Sequence, residues 1–245
     1  SWRRRYAYTM PRLMPVANIY LGHLNAHFNT FGLVGLPEAA AVASGDPGLW
    51  TEGSRRDMWR AVWWMKDVVE HVRKRCMEYE AEDGFLYNVE EVPAESAAYR
   101  LAQADKRTFR DEASWLPDVY SNSIVPYYAD VPLYQRAVWE GLVQQEFTGG
   151  VMMHMFLGEQ PDPEALRRFI HRIAVNTGVV YFSVTPTISL CRSCSWSAVG
   201  IRDKCPRCGA ETDVWSRVVG YYKPVRNWNV GRKAEFMLRK HYRLT

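Results

Sequence analysis

The chain has 245 residues, 47% of them hydrophobic and 24% charged, and its net charge at pH 7 is +4. This balance is typical of a globular protein with one large domain or two small ones, and so weak a charge does not indicate nucleic acid as a partner. No apolar run approaches the roughly 20 residues of a membrane helix, so we predict no membrane partner. The basic N-terminus has no apolar segment behind it and is not a signal peptide.

The first predicted element is a helix over residues 14–29, ended near Gly32. His23 and His27 lie four residues apart on one face of this helix, a spacing that can hold a metal. The residue after His23 is Leu24, however, so the glutamate of an H-E-x-x-H metalloprotease motif is missing. We therefore interpret the two histidines as packing or hydrogen-bonding residues.

The longest predicted helix covers residues 54–79, because apolar residues recur there every three or four positions. Gly84 follows where a glycine C-cap is expected. Cys76 lies on this helix with no cysteine nearby in the sequence, and we interpret it as a buried thiol.

A strand is predicted over residues 85–92, and the run Pro-Ala-Glu-Ser at 93–96 opens a helix that reaches about residue 104. In α/β folds ligands bind beyond the carboxyl ends of strands, which makes Glu95 a candidate site carboxylate. The alternative is that Glu95 compensates the helix dipole, as acidic residues in a first turn often do.

The same alternation continues along the middle of the chain, with Asp162 as a helix N-cap followed by a proline at the first helical position. Alternating strands and helices predict an α/β fold with parallel strands. The predicted elements are a helix over 131–144, a turn at 148–150, a strand over 151–157, a helix from 162 to about 175 and a strand over 179–184.

Four of the five cysteines form two C-x-x-C pairs, Cys191 with Cys194 and Cys205 with Cys208, and ten residues lie between the two pairs. Each pair can aim two thiolates at one ion, and Zn²⁺ binds four such ligands tetrahedrally. Because four thiolates leave no position for water, we predict a structural zinc site, with an iron–sulfur cluster or rubredoxin-type iron as the alternatives. Cysteines in this spacing favour a reducing, cytoplasmic location over a disulfide framework.

Gly220 follows Cys208 by twelve residues, in the run Ser-Arg-Val-Val-Gly-Tyr-Tyr at 216–222. Taken alone, a glycine there is usually a loop residue that needs a positive φ. A glycine can also carry a radical on its backbone carbon, since it has no Cβ to crowd a planar centre. The surrounding sequence decides between the two.

That sequence resembles the C-terminus of the anaerobic (class III) ribonucleoside-triphosphate reductases, a glycyl-radical family in which a zinc module precedes the radical glycine. The order of the matching runs is more specific than any one of them, and the likeness extends from about Tyr8 onward. The runs are residues 28–36, 93–96, 99–101, 121–123, 148–150, 156–159 and 181–187, both cysteine pairs, and residues 217–222, 224–229 and 231–233.

The resemblance implies a fold and a division of the chain. The fold is part of a glycyl-radical-enzyme α/β barrel with a small C-terminal four-cysteine zinc ribbon and a glycyl radical loop. Residues 1–187 are expected to form the C-terminal half of the catalytic barrel, residues 188–214 the ribbon, and residues 215–245 the radical loop and a C-terminal helix.

Enzymes of this family are much longer, and their upstream part carries a nucleotide-binding cone, the rest of the barrel and the thiyl cysteine. We expect this chain to be the C-terminal part of the catalytic subunit, whether as a segment of a longer protein, a split gene product or a segment behind an intein. The complete enzyme is expected to be a homodimer.

The implied chemistry is the reduction of ribonucleoside triphosphates by radicals. A separate radical-SAM activase, which uses S-adenosylmethionine, generates the radical on Gly220, and formate or a dithiol is the reductant. Glu95 is the implied acid or base. Ser183, Thr185 and Thr187 are candidate ligands of the substrate phosphates, with turn formation around Pro186 as the alternative.

Two other functions stay open at this point. One is a zinc-ribbon binding module without radical chemistry, although such a module does not need the large α/β portion. The other is a glycyl-radical enzyme that acts on a different substrate, although those enzymes generally lack this zinc module.

Overall fold

The computed structural model describes residues 12, 15–21, 27–218 and 220–244. Helices and strands alternate along most of the chain, and the C-terminal third is rich in strands. The helices are α1 (Pro15–Leu21), α2 (Leu36–Ser44), α3 (Arg55–Asp83), α4 (Glu95–Phe109), α5 (Leu133–Gln144), α6 (Pro163–Asn176) and α7 (Val230–Leu238), with 3₁₀ turns at Arg110–Ala113 and Val225–Asn227. The strands are β1 (Asn29–Leu33), β2 (Tyr87–Glu91), β3 (Met153–Leu157), β4 (Phe182–Pro186), β5 (Ile188–Cys191), β6 (Ser197–Val199), β7 (Thr212–Val218) and β8 (Tyr221–Pro224).

The long helix α3 confirms the predicted helix over 54–79 and extends it by one turn. The Ser54 side chain caps it by accepting a hydrogen bond of 3.2 Å from the backbone N–H of Asp57. Gly84 ends the helix in the left-handed conformation with φ of 72°, which glycine adopts without a steric penalty. Its apolar face packs into the larger of two cores, together with α2 and α5.

Four strands form two parallel pairs, β1 with β2 and β3 with β4. The segment between α5 and β3 lies against β2, because Gly149 N–H donates to the Val89 carbonyl and Glu91 N–H donates to the Gly150 carbonyl, both at 2.9 Å. The predicted α/β character with parallel strands is therefore confirmed, and the second pair follows the first along the chain.

The prediction for the first segment is wrong at its C-terminal end. Asn29 does not end a helix but begins β1, where its side-chain amide donates to the Leu86 carbonyl at 3.0 Å. Phe31 then packs beside Tyr79 and Tyr87, with ring centroids 6.2 and 6.3 Å away. These distant partners favour the strand, and a helical period in the local sequence does not reveal them.

The last four strands form one antiparallel sheet in the order β6-β5-β7-β8. Only Thr187 separates β4 from β5, so the chain passes directly from the parallel pair into this sheet. The expected boundary between the zinc ribbon and the radical loop, at residues 214 and 215, lies inside β7. This strand pairs with β5 on one side and β8 on the other. One sheet thus connects the cysteine segment to the glycine segment.

The chain returns to the parallel strands after the antiparallel sheet. Helix α7 packs closely on α4, where a Cβ at Gly231 would lie 2.6 Å from the Tyr99 Cβ. The tail then runs beside β3, and Tyr242 N–H donates to the Phe156 carbonyl at 2.8 Å. Among the described residues, no helix is both long enough and apolar enough to cross a membrane.

Candidate functional site

The four cysteines lie on two turns that share the same backbone design. In the first, Cys191 N–H donates to the Trp196 carbonyl at 2.7 Å, and in the second Cys205 N–H donates to the Ala210 carbonyl at 2.8 Å. The residue after each second cysteine is left-handed, Ser195 with φ of 57° and Gly209 with φ of 74°. These conformations turn the chain so that both sulfurs of a pair face the same point.

The four sulfur atoms lie within 4.8 Å of one another, and no other group of three or more potential ligands is found among the described residues. Cys191 Sγ is 3.5 Å from Cys208 Sγ, and Cys194 Sγ is 3.6 Å from Cys205 Sγ. Four thiolates at about 2.3 Å from a tetrahedral ion are about 3.8 Å apart, so this donor set fits a metal ion. The cluster could therefore hold a metal, as the spacing predicted.

The two cysteines of the first turn differ in how their surroundings treat the thiolate. At Cys194 the backbone N–H of Trp196 stabilises the thiolate, but burial and the Cys205 thiol outweigh it and raise the pKa. Burial opposes the charge on Cys191, but hydrogen bonds from the Cys194 backbone N–H and the Cys208 thiol outweigh it and lower the pKa to about 6. Beside this turn, the buried Asp213 of β7 pairs with Arg192 and, at 2.9 Å, with Arg226. The Arg192 pair links the cysteine turn to β7, and the Arg226 pair links the 3₁₀ turn after β8 to the same strand.

Gly220 lies in the two-residue connection between β7 and β8, next to the paired residues Val218 and Tyr221. It is exposed, and a Cβ built on it would meet no atom within 4 Å apart from its chain neighbours. Packing at this position therefore does not require glycine. Strand β7 of this hairpin also pairs with β5, the strand that ends at Cys191. One strand therefore connects Gly220 to the candidate metal site.

The three predicted hydroxyl residues lie at or just after β4. Ser183 is half-buried, whereas Thr185 and Thr187 are buried. Ser183 Oγ is 3.3 Å from Thr185 Oγ1, so these two lie together, while Thr187 Oγ1 is 3.3 Å from His241 Nε2. All three hydroxyls thus have a polar partner within hydrogen-bond distance.

Glu95 is the first residue of α4, directly after Ala94, which is left-handed with φ of 52°. Two side chains from distant parts of the chain hold the turn before Glu95. The Pro93 carbonyl accepts one hydrogen bond from the Asn122 side chain at 3.3 Å and another from the Arg232 side chain of α7. The sequence predicted the strand-to-helix turn here, and the link to α7 adds a contact with the C-terminal region.

A polar cluster beside Ser183 could not be identified from the sequence. His154 on β3 faces Ser183 across the parallel pair, with Nδ1 at 3.1 Å from the Ser183 Oγ. Burial and the nearby Arg239 guanidinium lower the His154 pKa to about 4, so the ring is neutral at pH 7. The one available signal was a histidine between methionines in an apolar strand, which fits a polar interior face of the pair.

The remaining sequence candidates lie away from this region or outside the described residues. Cys76 is 3% exposed on α3, and burial raises the pKa of its thiol, as expected for a packed cysteine. His27 is exposed before β1, and His23 lies outside the described residues. Within the described part of the chain, neither Cys76 nor His27 belongs to a group of potential metal ligands.

Solved structures give the first comparison. A structure named anaerobic ribonucleotide reductase matches 90% of this chain at 30% identity with a TM-score of 0.75, and 35% of that chain is covered. The Thermotoga maritima anaerobic ribonucleotide reductase in complex with dATP and CTP matches 97% of this chain at 27% identity, with a TM-score of 0.74 and 38% of its own length covered. The same enzyme with glycerol in the active site gives 28% identity and a TM-score of 0.75, over 96% of this chain and 37% of that one.

The chain thus spans little more than a third of the structures that it matches. No curated protein matches it at a significant level. The family model described as anaerobic ribonucleoside-triphosphate reductase matches residues 3–242. Since that match covers nearly every residue, the resemblance inferred from the sequence is confirmed, and the chain belongs to the anaerobic ribonucleoside-triphosphate reductase family.

Proposed function

We propose that this chain supplies the glycyl-radical part of an enzyme that reduces ribonucleoside triphosphates to deoxyribonucleoside triphosphates. The observation that carries the proposal is the hairpin of Gly220, which continues the sheet of the four-cysteine ribbon in a member of this family. The space around residue 220 would accept a larger side chain, so packing does not explain why the residue is glycine. A chemical role for glycine is the better explanation.

Zinc is the proposed occupant of the four-cysteine cluster. Cys191, Cys194, Cys205 and Cys208 would hold it with a closed shell, so the ion would stabilise the ribbon and take no part in the reaction. The ribbon in turn supports β7 and thereby the radical hairpin. A reduced, cytoplasmic environment suits both thiolate ligands and an oxygen-sensitive radical.

The parallel strands are proposed to be part of a larger barrel. Thr30, Phe31 and Gly32 of β1 are exposed, whereas parallel sheets are normally covered on both faces. A further part of the catalytic subunit would cover β1 and supply the thiyl cysteine. Of the five cysteines here, four form the metal cluster and Cys76 is buried on α3. The complete enzyme is proposed to be a homodimer.

The proposed reaction begins when a separate radical-SAM activase removes one hydrogen atom from the Gly220 Cα. The glycyl radical takes the hydrogen atom of a cysteine thiol, which restores glycine and leaves a thiyl radical. The thiyl radical abstracts the ribose 3′-hydrogen, and the 2′-hydroxyl takes up a proton and leaves as water. Formate, which is oxidised to CO2, or a dithiol, which is oxidised to a disulfide, supplies the two electrons and the hydrogen that forms the new C2′–H bond. The thiol then returns the 3′-hydrogen.

Glu95 is the proposed acid or base in this sequence, since loss of the 2′-hydroxyl as water requires a proton. Ser183, Thr185 and Thr187 are the proposed ligands of the substrate phosphates. Thr185 and Thr187 stand near and just after the carboxyl end of β4, the edge where α/β folds bind ligands. Ser183 lies earlier on the same strand, with its Oγ 3.3 Å from Thr185 Oγ1.

The radical assignment can be tested by isotope labelling of the complete enzyme. After anaerobic activation, we expect an organic radical whose electron paramagnetic resonance spectrum is a doublet from one α-hydrogen. Growth on glycine deuterated at Cα should collapse the doublet, because the deuteron has the smaller magnetic moment. A doublet that persists in the deuterated enzyme would place the radical elsewhere and contradict the proposal.

Replacing Glu95 by glutamine should lower kcat of the complete enzyme by about 10²-fold or more, the usual contribution of a positioned acid or base, with KM changed little. The side chains are similar in size, so the variant removes the proton-transfer function with little change in volume. Glu82→Gln, an exposed position on α3, is the matched control. A normal kcat for Glu95→Gln would exclude Glu95 from the reaction.

A further inference from the structure

Arg239 is the first residue after α7, and its charged side chain is almost completely buried, with 3% of it exposed. A buried guanidinium is costly unless it is paired and its donors are used. The partners of Arg239 lie on β7 and β3, which are distant in sequence, and on the adjoining helix α7, so the residue connects different parts of the molecule.

The first group of partners belongs to the strand that leads to Gly220. Arg239 Nη1 donates to the Ser216 Oγ at 3.2 Å, and both terminal nitrogens lie 3.3 Å from the Arg217 carbonyl. Ser216 is itself fully buried on β7. The guanidinium therefore holds β7 four residues before the glycine.

The second group holds the guanidinium in place. Its Nε and Nη2 both donate to Glu235 Oε1, at 2.9 and 2.6 Å, so two charge-assisted hydrogen bonds meet at one carboxylate oxygen. The guanidinium carbon lies 3.9 Å from the ring centroid of Phe156 on β3 and 5.0 Å from that of Trp228. These contacts leave the side chain little freedom.

Glu235 extends the connection to the turn before Glu95. Its other oxygen, Oε2, accepts a hydrogen bond from Arg232, and Arg232 in turn donates to the Pro93 carbonyl. Burial opposes the charge on Glu235, but Arg239 and Arg232 outweigh it and lower its pKa, so the carboxylate is ionised at neutral pH. An unbroken series of charge-assisted bonds thus joins β7 to residue 93.

We propose that Arg232, Glu235 and Arg239 form a positioning unit that fixes the Gly220 hairpin relative to the Pro93–Glu95 turn. This inference rests on the proposed roles of Gly220 and Glu95, since its purpose is to hold the radical carbon and the acid or base in one geometry. None of the three residues touches the reacting atoms in this proposal. The unit acts through the backbone at Arg217 and at Pro93.

The test uses the complete enzyme with the variants Arg239→Gln, Arg239→Lys and Ser216→Ala. Arg239→Gln removes the charge, and Arg239→Lys keeps the charge without the planar set of five N–H donors. Ser216→Ala removes one partner on β7 and leaves the buried charges intact. Arg243→Gln is the matched control, because Arg243 follows on the same tail and its side chain is 76% exposed.

We expect amide hydrogen exchange over residues 212–224 to accelerate about tenfold or more in Arg239→Gln, the effect of losing one hydrogen bond to a charged group. Exchange in α3 and the zinc content should stay as in the unaltered enzyme. In turnover, kcat should fall at least about tenfold with KM unchanged, because remote misplacement affects the reacting geometry. Arg239→Lys should recover part of the loss, and Ser216→Ala should show a smaller loss of the same kind.

Normal exchange and normal kcat in both Arg239→Lys and Ser216→Ala would overturn the positioning unit, even if Arg239→Gln failed to fold. A rise in KM without a fall in kcat would also overturn it, since that pattern indicates lost substrate binding. Failure of the proposed function is a separate outcome. In that case the doublet would survive glycine deuteration, whereas the exchange result at residues 212–224 would be unaffected.

Discussion

Replacing Cys191 by serine should release the metal and unfold the ribbon around it, while the long helix α3 stays folded. Serine keeps the size of the side chain but offers a hydroxyl where the ion needs a thiolate. Structural zinc contributes on the order of 10 kcal/mol to small metal-dependent modules, which is more than the apolar side chains of residues 189–213 can replace. Metal analysis should fall from one zinc per chain to almost none.

Hydrogen exchange provides the structural measurement for this variant. Amides over residues 188–210 should lose protection, whereas those of α3 should keep it, since α3 packs in a core that contains no cysteine ligand. Cys76→Ser is the matched control, because it alters the one cysteine outside the cluster and should keep its zinc. Uniform loss of protection along the chain, or a chromophoric iron–sulfur cluster in the unaltered protein, would contradict the structural-zinc proposal.

The parts of the fold that the sequence predicts correctly are those decided by neighbouring residues. Ser54 and Gly84 cap α3 as their residue types suggest, and the Asp162 side chain accepts from Ala165 N–H at 2.8 Å at the start of α6. The cysteine cluster belongs to the same class, since two C-x-x-C turns need only one local conformation each to bring their sulfurs together.

The parts that the sequence misses depend on distant partners. Residues 29–33 become a strand because β2, more than fifty residues later, offers a parallel partner. Glu235 and Arg239 are spaced four apart, which predicts an ordinary exposed helix pair. In the fold both are buried between β7, β3 and α7, and nothing in their spacing indicates it. Arg136 and Glu140 repeat the pattern, with both side chains fully buried.

The same reasoning separates the site residues. The radical role is proposed for Gly220 only because the cysteine pairs and the runs around them resemble one family, since the glycine itself lies in an open turn with room for a side chain. His154 could not be assigned, because its partner Ser183 stands on another strand and its lowered pKa depends on burial in the folded protein and on the nearby Arg239. Residues whose role depends on the assembled interior thus remain hidden until the strands are paired.

Alanine in place of Gly220 should abolish both the radical and turnover of the complete enzyme and leave the fold and the zinc unchanged. The fold should tolerate the change because a methyl group at this position would meet no atom within 4 Å beyond its neighbours. The radical should not, because a methyl group crowds the planar carbon and weakens delocalisation into the flanking peptide groups. Gly48→Ala is the matched control, since its new Cβ would be 3.5 Å from the nearest atom, an ordinary contact.

Exposure of the activated enzyme to air adds an independent measurement of the same assignment. Oxygen should add to the Gly220 Cα and break the main chain there, giving a C-terminal piece that begins near Tyr221, which mass spectrometry can identify. The Gly220→Ala enzyme should stay intact under the same treatment, and Gly48→Ala should be cut like the unaltered enzyme. If activated enzyme remains full length in air, or if Gly220→Ala keeps the doublet, Gly220 is not the radical residue and the hairpin is a turn that follows a metal-stabilised ribbon.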